Sequence, residues 1–168
     1  PVSFDNEIIL PEADIIVDPE AENESEYASY CGAALAYRFV CELLGEEEIP
    51  ELLVNAVIGT VADVMPITRT NWALVKKGLK YLENRNCNKV LGKICDQANI
   101  TGPLQSDDIG FKLGPIFNAS GRLFDDGAER VLKTLLTPES DGALVYMIKG
   151  LIQNNKDRKD LEKEIMQN

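Results

Sequence analysis

Asp63 is the residue in this sequence whose surroundings promise the most chemistry. It stands alone within the apolar run Ile58-Gly59-Thr60-Val61-Ala62-Asp63-Val64-Met65-Pro66. Such a run predicts a buried segment, and a buried carboxylate neutralises, pairs or binds a metal, because leaving it unpaired is costly. The same spacing admits a plainer arrangement, in which Asp63 ends one helix and caps the next segment, with Pro66 marking the break. Other reactive chemistry is sparse. The chain has no histidine, and Cys31, Cys41, Cys87 and Cys95 form no Cys-x-x-Cys pair, so no zinc-type ligand set is readable. Cys31 and Cys95 fall on apolar helical faces, and all four are read as reduced thiols of a cytoplasmic protein. No GxGxxG or P-loop pattern is present. Asn-x-Ser/Thr triplets at Asn23, Asn99 and Asn118 are chance matches.

The elements that would position Asp63 are mainly helical. Tyr27, Cys31, Leu35, Val40 and Leu43-Leu44 recur at helical spacing, with Gly45 as a stop. Pro50 suits the first turn of a second helix through Leu52, Leu53, Ala56 and Val57. That helix is apolar on nearly every face, so it should be central and buried, delivering Asp63 at its C-terminal end. Trp72, Val75, Leu79 and Leu82 mark a third helix; Val90, Leu91, Ile94, Cys95 and Ala98 mark a fourth. Ser106, Asp107 and Asp108 make a helix start, followed by Ile109, Leu113, Ile116 and Phe117 on one face. Ala128, Val131, Leu132 and Leu135-Leu136 give a short helix. A final helix begins near Asp141 and runs through Leu144, Met147-Ile148 and Leu151-Ile152. Against these helices stands one β-branched apolar run, Ala13–Val17 between Pro11 and Pro19, which predicts a short buried strand. Its partner strands are not evident.

Composition narrows the class. The chain's 168 residues, 45% hydrophobic and 27% charged, are ordinary usage for one globular domain. No apolar run approaches the ~20 residues needed to span a bilayer, so a membrane partner is not expected. The net charge is −11, with acidic residues concentrated at 20–26 and 46–51. Nucleic-acid affinity comes largely from neutralised phosphates, so the charge by itself argues against such a partner.

A downstream run, Asp108-Ile109-Gly110-Phe111-Lys112-Leu113-Gly114-Pro115-Ile116-Phe117-Asn118-Ala119-Ser120-Gly121-Arg122-Leu123, changes the picture when taken with Gly59–Pro66. Together they resemble the RecJ-type single-strand-specific exonucleases of the DHH phosphoesterase superfamily. Cys31-Gly32-Ala33 with Leu35–Phe39, and Ala13–Pro19, are weaker matches in the same order, so the resemblance covers most of the chain. It implies a mostly α structure: the helical part of a DHH-type α/β domain, with one short buried strand. Residues 1–152 would be the C-terminal portion of that domain, and 153–168 a connector helix toward a second domain.

The resemblance also implies a site. Asp63 matches a metal-ligand aspartate of a two-metal centre holding Mn2+ or Mg2+, chemistry that activates water and stabilises charge on the attacked phosphate. Asn118 and Arg122 match the Asn-Ala-x-Gly-Arg pattern; four residues apart, they can share a helix face, and arginine reads phosphate oxygens bidentately. The simpler alternative is that Asn118 satisfies local backbone and Arg122 pairs with Asp125 or Asp126. Two positions depart from the family pattern: Ile116 and Trp72 stand where relatives commonly carry a basic residue. Gly110, Gly114 and Gly121 are read as allowing close helix packing. With no histidine, the chain lacks the Asp-His-His motif, so most catalytic equipment would lie elsewhere and the isolated chain would be inactive. The function implied is part of a metal-dependent 5′-to-3′ exonuclease acting on single-stranded DNA in recombination and repair. The alternatives are a DHH phosphodiesterase for oligonucleotides or cyclic dinucleotides, and a non-catalytic DHH-fold replication scaffold.

Overall fold

Helix α2 (Pro50–Ala62) is the axis around which the chain is built. Leu53, Val54, Ala56, Val57, Ile58 and Thr60 are all buried, as an all-round apolar helix requires. The computed structural model describes residues 2–4, 7–9, 12–16, 18, 25, 27–83 and 88–167. Helix α1 (Gly32–Leu44) and helix α3 (Arg69–Glu83) pack against α2. Helix α4 (Lys89–Gln97) adds Val90, Leu91, Ile94 and Cys95 to the same core.

A helical run follows in three parts: α5 (Ser106–Asp108), a π-helical turn (Ile109–Leu113) and α6 (Gly114–Leu123). Helix α7 (Gly127–Leu136) and the long helix α8 (Leu144–Gln167) complete the order, with α8 lying along α6. The protein is mostly α, as the periodicities predict. Among the described residues the sheet is a single hairpin, β1 (Val2–Phe4) antiparallel to β2 (Glu7–Ile9), with Val2 opposite Ile9.

Several expectations need correction. Ala13–Ile16 form no strand, and Ile15 and Ile16 are 82% and 42% exposed; Val17 lies outside the described residues. A strand is stabilised only when a neighbour pairs its backbone, and no described strand lies beside this one. Helix α1 begins at Gly32 rather than near Tyr27, because residues 27–29 form a turn. On α3 the buried stripe is Asn71, Leu74, Gly78 and Leu82, which keeps the predicted Leu82, leaves Val75 and Leu79 half-buried against the core, and leaves Trp72 54% exposed. At the head of α5, Gln105 is the cap residue, and its N–H donates to Asp108 Oδ2 at 3.2 Å. Helix α8 starts at Leu144, with Asp141 Oδ1 accepting from the Ala143 N–H just ahead of it. Cys31, Cys41 and Cys95 are buried free thiols; Cys87 lies outside the described residues.

Candidate functional site

Asp63 is not buried. It is the last residue of the α2 turn, φ −85° and ψ 2°, and its side chain is exposed. The apolar neighbours that predicted burial belong to α2 itself, whose core-facing residues stop one turn earlier. The helix ends in a Schellman motif: the Met65 N–H donates to Thr60 O at 3.1 Å and the Val64 N–H to Val61 O at 3.2 Å. Val64 occupies the left-handed position of that motif, φ 54°. Asp63 thus ends the helix, as the plainer arrangement has it, but its side chain caps no segment among the described residues and faces solvent. No hydrogen bond or ion pair holds that carboxylate among the described residues. It also sits at the negative end of the α2 dipole, where a nearby cation would be favourable.

The loop after Asp63 is tied down from α3. Asn71 is 2% exposed, and its Nδ2 donates to Pro66 O at 2.9 Å and to Ser29 O at 2.8 Å. Thr68 Oγ1 lies 3.0 Å from Ser29 Oγ and accepts from the Asn71 N–H at 3.2 Å. These bonds fix the 64–68 segment, and through it the exit direction of the chain after Asp63. Beside this loop is an apolar cavity of about 650 Å³ walled by Val64, Met65, Ile67, Trp72 and Val75. Lys76 Nζ lies 4.4 Å from the centre of the Trp72 ring, a cation–π contact.

Glycines bring α6 to the end of α2. A Cβ on Gly114 would lie 2.9 Å from Ala62 Cβ and 3.1 Å from Ile109 O, so only glycine permits this approach. A Cβ on Gly110 would lie 3.6 Å from Val61 Cγ1, an ordinary contact, whereas one on Gly121 would meet open space. The close-packing role therefore holds for Gly114 and not for Gly110 or Gly121. The intervening π turn resets the helical phase, since a π-bulge inserts an extra residue into the α repeat. Ile109, Leu113 and Ile116 are buried, while Asn118 and Arg122 stay exposed on the other side. Ile116 thus serves the core.

Asn118 and Arg122 do share a face. They line one cavity of about 200 Å³ together with Ala62, Gly110, Gly114 and Arg158. Asp63 follows Ala62 directly but does not itself line that cavity. Arg122 pairs with neither Asp125 nor Asp126: its Nη1 lies 3.8 Å from Glu162 Oε1 on α8, and Asp126 is held by Arg130 Nε at 2.8 Å. The Arg130 hydrogen bond outweighs the opposing desolvation and holds the Asp126 carboxyl below the usual carboxylate range.

Arg158 lines the same cavity, and sequence reasoning did not single it out. The readable signal is the buried stripe of α8, which continues from Leu144, Ile148 and Leu151 into Asn155, with Arg158 three residues on. Its side chain is 15% exposed, and its guanidinium reaches both Glu162 Oε1 and, at 3.3 Å, Asn155 Oδ1. Nearby, Asn154 Nδ2 donates to the buried Ser120 Oγ at 3.0 Å, locking α8 onto α6. As for a metal centre, no group of three or more Asp, Glu, Cys or His side chains converges among the described residues. The residues described offer one candidate carboxylate, and they do not by themselves fit a two-metal site.

No family model matches this chain. It is similar to the single-stranded-DNA-specific exonuclease RecJ of Haemophilus influenzae, 32% identical over 91% of this chain and 28% of that protein. The chain spans less than a third of the length of the curated relatives it matches. In fold it is similar to RecJ of Thermus thermophilus solved in complex with Mn2+, with TM-score 0.74 and 28% identity over 89% of this chain and 22% of that one. The same protein in complex with Mg2+ gives TM-score 0.64 and 30% identity over 76% of this chain and 20% of that one.

Proposed function

Because this chain is RecJ-type in both sequence and fold over about nine-tenths of its length, we propose that it is part of a metal-dependent 5′-to-3′ exonuclease for single-stranded DNA. In this reading Asp63 supplies one carboxylate to a site for Mn2+ or Mg2+ whose other ligands lie outside the described residues, and Asn118 and Arg122 hold a substrate phosphate. The carrying observation is that the final residue of α2, Ala62, lines the same cavity as Asn118 and Arg122. Binding and orientation of the strand are therefore assigned to α6, next to the helix end that presents Asp63. A role in DNA recombination and repair and a cytoplasmic location follow as further parts of the proposal. No helix among the described residues is long and apolar enough to cross a membrane.

The decisive experiment uses an active enzyme containing this segment. Asp63→Asn is nearly isosteric, removes the charge, and should abolish manganese-dependent release of nucleotides from single-stranded DNA. Because Asp63 is exposed and makes no described side-chain bond, the melting temperature should move little. Unchanged turnover would remove Asp63 from the site.

A further inference from the structure

We propose that Arg158 is a second phosphate-binding guanidinium of the Asn118–Arg122 groove, and that Glu162 is its internal counter-ion, displaced when a substrate phosphate enters. This rests on the reading of that groove as the nucleic-acid face. Two guanidinium groups from different helices, Arg122 on α6 and Arg158 on α8, converge on the single Glu162 carboxylate oxygen Oε1. A carboxylate between two forked cations occupies the position that phosphate oxygens take in bidentate arginine recognition.

The two sides are held differently. Arg158 is mostly buried along its length and close to Glu162, whereas Arg122, 64% exposed, stands 3.8 Å away. Exposed pairs of that kind are worth little, so the Arg122 contact yields readily to a better anion. Arg158 Nε is buried and has no hydrogen-bond partner among the described residues. A buried N–H without an acceptor is costly, so this fork has donor capacity that Glu162 and Asn155 leave unused. The groove thus concentrates two positive charges against one negative charge on a chain of net charge −11. Local attraction for phosphate on an acidic molecule requires such a cluster.

The test measures binding of a 5′-labelled short oligothymidylate to the chain at several salt concentrations, with inorganic pyrophosphate as a second probe. Glu162→Gln, which keeps shape and removes the competing charge, should tighten oligonucleotide binding several-fold. Arg158→Ala should weaken it to the level of Arg122→Ala and reduce the salt slope by about 0.7, the loss of one single-strand phosphate contact. Arg158→Lys preserves the charge and the aliphatic packing that the alanine variant removes. It should fall between wild type and Arg158→Ala, because a point charge cannot reproduce the fork. Thermal melts of each variant separate loss of binding from loss of fold.

If Arg122→Ala weakens oligonucleotide binding while Glu162→Gln and both Arg158 variants leave it unchanged, the proposal fails and the nucleic-acid reading stands. If pyrophosphate binds in an Arg158-dependent manner and the oligonucleotide does not, the anion site stands and the nucleic-acid reading fails. Absence of binding of either probe to wild type and Glu162→Gln overturns both.

Discussion

Three helices of this protein end in the same backbone motif, and they differ in one residue choice. Helix α1 closes on Gly45 (φ 68°), α4 on Asn99 (φ 56°) and α2 on Val64 (φ 54°). In each, a backbone N–H donates to the carbonyl five residues back: Glu46 N to Cys41 O, Ile100 N to Cys95 O and Met65 N to Thr60 O. Glycine and asparagine tolerate the left-handed region; a β-branched residue there is a genuine outlier. Val64 is 85% exposed, so burial of its own side chain does little to offset the strain. Strain of this size, about 1–3 kcal/mol, tends to persist where function demands a fixed geometry, and Val64 adjoins Asp63. Val64→Asn is expected to stabilise the protein by about 1 kcal/mol, raising its melting temperature by roughly 2–4 °C. A lowered midpoint in thermal denaturation would show that the valine makes a compensating contact.

At the scale of elements, the approach of α6 to α2 is set by single atoms. Gly114→Ala forces a methyl group against Ala62 and the Ile109 carbonyl, and should cost about 1–3 kcal/mol. Gly121→Ala, seven residues along the same helix, meets open space and should be neutral or stabilising by up to about 1 kcal/mol from helix propensity. Urea titrations of the pair check this, and equal destabilisation would refute the packing argument. The α1–α2 connection is anchored differently, by Glu48, which pairs with Lys77 and accepts from Tyr81 Oη, both on α3. Desolvation pushes the Glu48 carboxyl upward, but hydrogen bonds from Lys77 and Tyr81 outweigh it and hold it below its ordinary value of 4.5. A depressed folded-state value means that the unfolded chain binds the proton more readily. This contribution is therefore complete above about 4.5 and is lost as pH falls below it. Glu48→Gln should lower the melting temperature near neutral pH and narrow the gap to wild type as the pH is taken below that window. A constant gap between the two proteins across the acid range would assign the effect of Glu48 to packing.

For the whole molecule, the decisive quantity is how many metal ligands converge. Two-metal hydrolysis needs several ligands to fix the ions and keep a position open for water; on the proposed reading Asp63 would supply one, and no group of three or more converges among the described residues. The purified chain is expected to show no measurable hydrolysis of single-stranded DNA with manganese. Metal-dependent trimming that Asp63→Ala abolishes would show that further ligands reside in this chain. With a net charge of −11, the molecule as a whole repels phosphate, so on the proposed reading oligonucleotide binding should be weak and depend on the groove shared by α6 and α8.

The sequence by itself determined the helical character and carried the family resemblance. The apolar density of 50–62 requires a buried helix, Pro50 and Gly45 mark element ends, and the ordered motifs from Cys31 to Arg122 carry the RecJ resemblance. These features are local, set by periodicity and terminal chemistry within about ten residues. Whether Asp63 is buried or presented, which acid Arg122 meets and whether Arg158 belongs to the site depended on tertiary structure. A helix pattern gives the face of each residue relative to its own axis, but it does not say where another helix crosses. Glu162 lies forty residues beyond Arg122 in the chain, and only the packing of α8 on α6 brings their side chains together.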